Sequence, residues 1–86
     1  MKIKVDNINA VCLPYMKRPK RIIGAKAVLL EDTRNNRGQM IEALEVVEVF
    51  QSFRGYGVKV EKDGITIIIT RISRYNVRFL KDGTKD

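Results

Sequence analysis

The clearest alternation of hydrophobic and polar positions lies in the C-terminal third of the chain. Residues 57–62 and 65–72 are rich in β-branched side chains, and Asp63-Gly64 stands between them. Two such segments around an Asp-Gly pair predict a β-hairpin with a two-residue turn. Pairing outward from that turn sets Lys62 opposite Ile65, Val60 opposite Ile67, Val58 opposite Ile69 and Tyr56 opposite Arg71.

A third strand is predicted over residues 76–81, after a short turn at 73–75. It places Val77 and Phe79 on the face that carries the hairpin valines. The opposite face carries lysine, threonine and arginine side chains together with Ile68, Ile72 and Leu80. Because that face is partly apolar, we expect a helix, the N-terminal strands or a second subunit to cover part of it.

Residues 40–53 predict an amphipathic helix, in which the apolar side chains share one broad face while Glu45 and Glu48 lie on the opposite, solvated face. Asn36 and Gln39 stand in the positions of a capping box before this helix. Arg54-Gly55 supplies a cation and a terminating glycine after it. Since valines are poor helix formers, a strand over residues 40–53 is the alternative.

The N-terminal part of the chain predicts two strand regions separated by a loop. Residues 2–13 alternate and then become apolar, and residues 22–30 are apolar and rich in β-branched side chains. Pro14 and Pro19 bound a loop between them, because proline removes a ladder donor and disfavours helix before it. The composition of residues 32–38 predicts a polar turn.

Together these elements predict an α+β domain, an antiparallel sheet of about five short strands with one amphipathic helix, in the order ββαβββ. The alternative, which follows if residues 40–53 are a strand, is an all-β small barrel. The single domain is expected to span residues 1–81, and residues 82–86 are expected to form a flexible tail.

The composition excludes several kinds of site. The chain of 86 residues has no histidine and one cysteine, Cys12, so an internal disulfide and a zinc site of Cys/His type are excluded. Without histidine or a phosphate-binding glycine loop, we expect neither an enzyme nor a cofactor. The sequence has no apolar run of membrane-spanning length and no signal-peptide pattern, so we expect no membrane partner and a cytoplasmic location, in the protein's own cell or in a host.

The net charge of +7 is unevenly distributed. Residues 1–38 carry nine basic and three acidic residues, residues 39–53 carry only three glutamates, and residues 54–86 carry eight basic and four acidic residues. A basic chain interrupted by one acidic segment favours an acidic partner such as DNA or RNA.

Basic segments that contain or adjoin tyrosines are the candidates for contact with nucleic acid, since lysine and arginine bind phosphates and tyrosine stacks on bases. The alternative roles are structural: a solvated loop that protects a sheet edge, and tyrosines that anchor strand ends. The predicted nucleic-acid-binding residues are Lys17, Arg18, Lys20, Arg21, Arg34, Arg37, Arg54, Tyr56, Arg71, Arg74, Tyr75 and Arg78.

Two functional hypotheses follow from these patterns. The first is a small non-enzymatic protein that binds nucleic acid through the basic loop and the sheet arginines. The second is a protein-binding regulator or inhibitor of phage or plasmid type that acts on a host nucleic-acid machine. Its interface would comprise Glu45, Glu48, Ile68, Ile72 and Leu80. An acidic stripe beside basic patches also favours self-association, for which a homodimer is the expected form.

Overall fold

The computed structural model describes residues 2–4, 6, 8–14 and 22–81. The predictions for Lys17, Arg18, Lys20 and Arg21 and for the tail at 82–86 lie outside these residues. One helix of a single turn, α1, covers Ile8–Val11, and a 3₁₀ turn covers Arg74–Asn76. The strands are β1 Cys12–Leu13, β2 Lys26–Leu29, β3 Thr33–Arg34, β4 Met40–Ile41, β5 Val46–Gln51, β6 Tyr56–Lys62, β7 Ile65–Ile72 and β8 Val77–Leu80.

Six of these strands form one antiparallel sheet in the order β1-β8-β2-β5-β6-β7, and β3 pairs with β4 in a separate hairpin. In this order β7 is at one end and β8 lies next to the other end, yet only residues 73–76 connect the two strands. Such a short connection requires the sheet to curl. The curl brings the inner faces of distant strands together. Val47, Val58, Ile69 and Phe79 therefore share one buried cluster.

The predicted α+β fold is wrong, because residues 40–53 contain no helix. In β5 the burial alternates with the two-residue period of a strand: Val47 and Val49 are buried, whereas Val46 and Glu48 are partly exposed. Three β-branched valines favour this extended conformation. The all-β alternative describes the segment correctly, and the curled sheet has β1 and β7 as its two ends in the described part of the chain.

The predicted hairpin is present, and three of its four predicted pairs are confirmed, those from Lys62–Ile65 to Val58–Ile69. Asp63 and Gly64 have φ angles of 51° and 78°, the two positive values that a type I′ turn requires. The fourth pair is wrong. A register shift gives β7 one extra residue, so Tyr56 pairs with Ile72 instead of Arg71, and Ile72 enters the core.

The third predicted strand is present as β8, with Val77 and Phe79 both fully buried. It lies between β1 and β2, however, at a distance from β7 in the strand order. The side chain of Asn76 explains this position. Its Oδ1 accepts hydrogen bonds from the backbone N–H groups of Leu30 and Glu31, at 3.0 and 2.9 Å, and so fastens the start of β8 to the end of β2.

The N-terminal segment differs from the predicted strands. Lys2 forms one isolated bridge with Glu45, and the chain then forms α1 before the two residues of β1. Ile8 and Val11 pack with Val28 and Leu80 in a second apolar cluster. The N-terminal segment therefore covers part of the second sheet face. The apolar residues on that face had led us to expect such a covering element.

The predicted turn at 32–38 is part of the β3–β4 hairpin, and the predicted capping box is wrong because no helix follows it. Asn35 organises the loop instead: its Oδ1 accepts from the N–H groups of Arg37 and Gln39, at 2.9 and 3.0 Å. Its Nδ2 donates to the carbonyl oxygen of Ile68 at 3.1 Å. This second bond holds the hairpin against β7.

Candidate nucleic-acid interface

Two turns lie at the same end of the sheet, because Tyr56 pairs with Ile72. Residues 52–55 connect β5 to β6, and residues 73–76 connect β7 to β8. A Cβ atom built on Gly55 would lie 2.8 Å from the carbonyl oxygen of Ile72 and 3.1 Å from the carbonyl carbon of Arg71. The backbone of the first turn is therefore in direct contact with the end of β7, and the contact places Arg54 close to Arg71.

Each of the two turns presents an arginine beside an exposed aromatic ring. The guanidinium carbon of Arg54 lies 5.4 Å from the centroid of the Phe53 ring, and that of Arg74 lies 5.1 Å from the centroid of the Tyr75 ring. Phe53 and Tyr75 are each 73% exposed. These distances are those of cation–π contacts, which hold a guanidinium plane beside a ring without burying either group.

The Arg74–Tyr75 pair is also joined by a hydrogen bond. The Nη2 group of Arg74 donates to the phenolic oxygen of Tyr75 at 3.1 Å. This hydrogen bond, together with the positive charge of Arg74, lowers the pKa of the Tyr75 phenol. The same hydrogen bond, together with the negative charge of the ionised phenol, raises the pKa of the Arg74 guanidinium. Ser73 Oγ accepts from the backbone N–H of Tyr75 at 3.1 Å and so caps the 3₁₀ turn on which both side chains stand.

A cleft of about 340 Å³ adjoins this pair, lined among the described residues by Pro14, Arg74, Tyr75 and Arg78. Pro14 directly follows β1, whose Leu13 pairs with Phe79, so the cleft lies beside the last described residue before position 22. Lys17, Arg18, Lys20 and Arg21 follow Pro14 in the sequence.

Cys12, in the adjoining strand β1, is buried and offers no reactive group to this end of the sheet. Burial raises the pKa of its thiol, an effect that the charges of Arg78 and Lys81 only partly oppose. A thiol with a raised pKa holds little of the thiolate that nucleophilic chemistry needs.

We call the surface formed by the two turns, the end of β7 and the start of β8 the arginine–aromatic end. Sequence reasoning missed Phe53, because the predicted helix placed this residue on the buried face. The adjacent pair Phe53-Arg54, which matches the pair Arg74-Tyr75 in composition, was the available signal. The residues of the arginine–aromatic end are Phe53, Arg54, Arg71, Arg74, Tyr75 and Arg78.

Three predicted nucleic-acid-binding residues lie elsewhere. Tyr56 is buried in the core, where its ring packs edge-on against Phe79 with the centroids 5.4 Å apart, so neither of its faces can receive a base. Its assignment as a stacking residue is therefore corrected to a core role. Arg34 and Arg37 line a different cleft of about 400 Å³, between the β3–β4 hairpin and β7.

The predicted protein interface does not form one surface. Glu45, Ile72 and Leu80 are buried, whereas Ile68 is 47% exposed and Glu48 is partly exposed. The extended conformation explains the difference between Glu45 and Glu48, because residues of one helical face lie on both faces of an extended chain. The register shift in β7 brings Ile72 into the core, and the N-terminal segment covers Leu80.

The acidic segment is paired with lysines inside the fold. Glu42 binds Lys2 at 2.6 Å, Glu45 binds Lys62 at 3.1 Å, and Glu48 lies 3.8 Å from Lys59. Within residues 2–4, 6, 8–14 and 22–81, by contrast, no arginine lies within ion-pair distance of a carboxylate. The unpaired positive charge of this part of the chain is therefore carried largely by arginines.

No group of three histidine, cysteine or carboxylate side chains is placed to hold a metal ion among the residues that the structure covers. In the same residues, no helix has the length and apolar character needed to cross a membrane. Comparison of the chain with protein-family models, with curated proteins and with solved structures finds no match.

Proposed function

We propose that this protein binds nucleic acid through the arginine–aromatic end and catalyses no reaction. One observation carries the proposal: two arginine–aromatic pairs stand on turns that meet at one end of the sheet, with no carboxylate within ion-pair distance in the described part of the chain. A guanidinium group binds a phosphate through two parallel hydrogen bonds. An exposed aromatic ring stacks on a base.

The distribution of the ion pairs supports the same conclusion. The glutamates of the acidic segment are neutralised by lysines of the N-terminus and of β6. Negatively charged side chains therefore repel a polyanion least where it approaches the arginines. We assign Lys17, Arg18, Lys20 and Arg21 to the same interface, because they follow Pro14 in the sequence and Pro14 lines the cleft beside Tyr75. A cytoplasmic location, where DNA and RNA are available, is part of this proposal.

The second hypothesis, a protein-binding regulator, has one supporting observation. Ile65 and Ile68 are 55% and 47% exposed on β7, an end strand of the sheet. End strands bind partner proteins by adding a strand. Asn35 already donates to the carbonyl oxygen of Ile68 and so limits strand addition there. Nucleic-acid binding is therefore the function that the geometry supports better.

Two double substitutions that remove the same charge from different surfaces test the proposal. Arg54→Gln with Arg74→Gln changes the arginine–aromatic end. Lys26→Gln with Lys59→Gln is the matched control on β2 and β6. Affinity for labelled DNA and RNA oligonucleotides is measured by fluorescence anisotropy at several salt concentrations.

We expect the arginine pair to weaken binding and to reduce the slope of log affinity against log salt by about 1.4 to 1.8, because each lost phosphate contact contributes about 0.7 to 0.9. The control is expected to keep the slope of the unsubstituted protein. Equal losses in both variants would place the interface elsewhere, and absence of binding by the unsubstituted protein at low salt would overturn the proposal.

A further inference from the structure

We infer that the ligand is a single strand of nucleic acid, one base of which stacks on Tyr75 in the cleft formed with Pro14, Arg74 and Arg78. This inference rests on the proposed function and narrows it to one class of ligand and one base site. It combines four features of the molecule: the exposed ring, the cleft beside it, the rigid turn that carries it, and the arginines on both sides.

The ring of Tyr75 has a free face. The Arg74 guanidinium lies 5.1 Å from the ring centroid on one side, and Tyr75 as a whole remains 73% exposed. The adjoining cleft of about 340 Å³ is large enough for a small flat ligand, since ligand sites begin at about 300 Å³. Pro14, a rigid apolar ring, is among the residues that line it. A base can therefore lie in the cleft with one face on Tyr75.

The turn that carries Tyr75 is fixed at three points before any ligand binds. Ser73 Oγ accepts from the N–H of Tyr75 at 3.1 Å, and Arg74 donates to its phenolic oxygen at the same distance. Asn76 Oδ1 anchors the turn to Leu30 and Glu31 at the end of β2. A ring held in this way loses little conformational freedom on binding, which favours its use as a stacking platform.

The arginines supply the phosphate contacts that a strand needs on either side of a stacked base. Arg78 lines the cleft and donates to the carbonyl oxygen of its neighbour Val77 at 3.2 Å, which leaves the other guanidinium N–H groups available. Arg74 has Tyr75 as its hydrogen-bond partner and keeps further donors as well.

Stacking on Tyr75 selects single strands over duplexes. In a duplex both faces of each base are covered by neighbouring base pairs, so a base reaches the ring only after unstacking and unpairing, at a cost of a few kcal/mol. In a single strand the faces are accessible, and stacking of this kind tolerates any sequence because every base has a π-face.

The test compares Tyr75→Ala and Tyr75→Phe with the unsubstituted protein. The ligands are a labelled oligothymidylate and a labelled duplex of equal length, titrated by fluorescence anisotropy. We expect Tyr75→Ala to weaken binding of the single strand by roughly tenfold, the usual effect of removing one base–aromatic stack. Duplex binding is expected to change by less than about twofold, and the salt slope is expected to stay constant because no charge is lost. Tyr75→Phe retains the ring, so its affinity for the single strand is expected to stay within about threefold of that of the unsubstituted protein.

A single strand that contains 2-aminopurine gives a second readout, because stacking on an aromatic side chain quenches the fluorescence of this base. Quenching by the unsubstituted protein and by Tyr75→Phe, but not by Tyr75→Ala, would support the inference. Equal loss of single-strand and duplex binding in Tyr75→Ala, or unchanged quenching, would overturn it and leave the proposed function in place. Failure of the unsubstituted protein to bind either ligand at low salt would overturn the proposed function itself.

Discussion

Gly55 determines how closely the turn at 52–55 approaches the end of β7 in the arginine–aromatic end. Its φ of 93° lies in the left-handed region, and a Cβ atom there would come within 2.8 Å of the Ile72 carbonyl oxygen. We expect Gly55→Ala to lower the free energy of unfolding by at least about 2 kcal/mol, since the left-handed backbone costs about 1–2 kcal/mol and overpacking adds to it. Urea unfolding measures the loss.

Gly64→Ala is the matched control for that substitution. Gly64 has a similar φ of 78°, but a Cβ atom on it would meet nothing within 4 Å. Its expected loss is therefore the backbone cost alone, about 1–2 kcal/mol. A loss in Gly55→Ala no larger than that in Gly64→Ala would show that the contact between Gly55 and the end of β7 is not tight.

Single residues also show how far the candidate site was predictable. Arg74, Tyr75 and Arg78 line one cleft, and local sequence is enough to group them because they lie within five positions of one another. Phe53 was predicted to lie on the apolar face of the helix but is exposed, whereas Tyr56 was predicted to stack on a base but is buried. Exposure of these two rings depends on where β5 ends and β6 begins, and hydrophobic spacing near a turn does not determine that boundary.

At the scale of elements, the acidic segment shows why periodicity alone misled the helix prediction. Glutamates at 42, 45 and 48 have the spacing of one helical face, but here the first stands before a turn in which Leu44 has a φ of 66°, and the last lies on a strand. Their lysine partners come from distant segments. The β6–β7 hairpin was predictable because Asp63-Gly64 sets its register locally.

The helix prediction placed Glu45 and Glu48 together on a solvated face. In the observed fold they are expected to contribute different amounts to the free energy of unfolding. Glu45 is buried, binds Lys62 at 3.1 Å, and accepts a hydrogen bond from the N–H of Glu42 at 3.3 Å. Glu45→Ala is expected to lower the free energy of unfolding by about 1–3 kcal/mol, because it leaves two polar partners without their acceptor. Glu48 has a partly exposed side chain and a longer ion pair, so Glu48→Ala is expected to cost at most about 1 kcal/mol. Equal losses in urea unfolding would contradict the burial of Glu45 and its two polar contacts.

At the scale of the whole molecule, the strand order was not predictable from the sequence. The position of β8 between β1 and β2 depends on contacts such as that of Asn76 with Leu30, which are separated by 46 positions. No local pattern encodes such a pairing. The pairing of Tyr56 with Ile72 in the β6–β7 hairpin sets the turns at 52–55 and 73–76 at one end of the sheet. The contacts of Asn76 then hold the second turn against the end of β2. The cleft beside Tyr75 is also lined by Pro14, which follows β1, so the proposed binding surface depends on the folded state.

This dependence predicts a coupling between ligand binding and stability. A ligand that binds only the folded state at a concentration a hundredfold above its Kd adds about 2.7 kcal/mol to the free energy of unfolding. For a chain of this size, 1 kcal/mol corresponds to about 4–8 °C in Tm. We therefore expect a saturating oligothymidylate to raise Tm by roughly 10–20 °C in calorimetry at moderate salt, where non-specific attraction between the unfolded basic chain and the oligonucleotide is screened.

The variant with Arg54→Gln and Arg74→Gln separates this coupling from a general effect of charge. At the same oligonucleotide concentration its Tm, compared with its own ligand-free value, is expected to rise much less. The variant with Lys26→Gln and Lys59→Gln is expected to retain the full shift. If the oligonucleotide raises the Tm of all three proteins equally, binding depends on the net charge of the chain and not on a surface that the fold creates. A shift confined to the proteins with intact arginines would show that the ligand recognises the surface that Arg54 and Arg74 present in the folded protein.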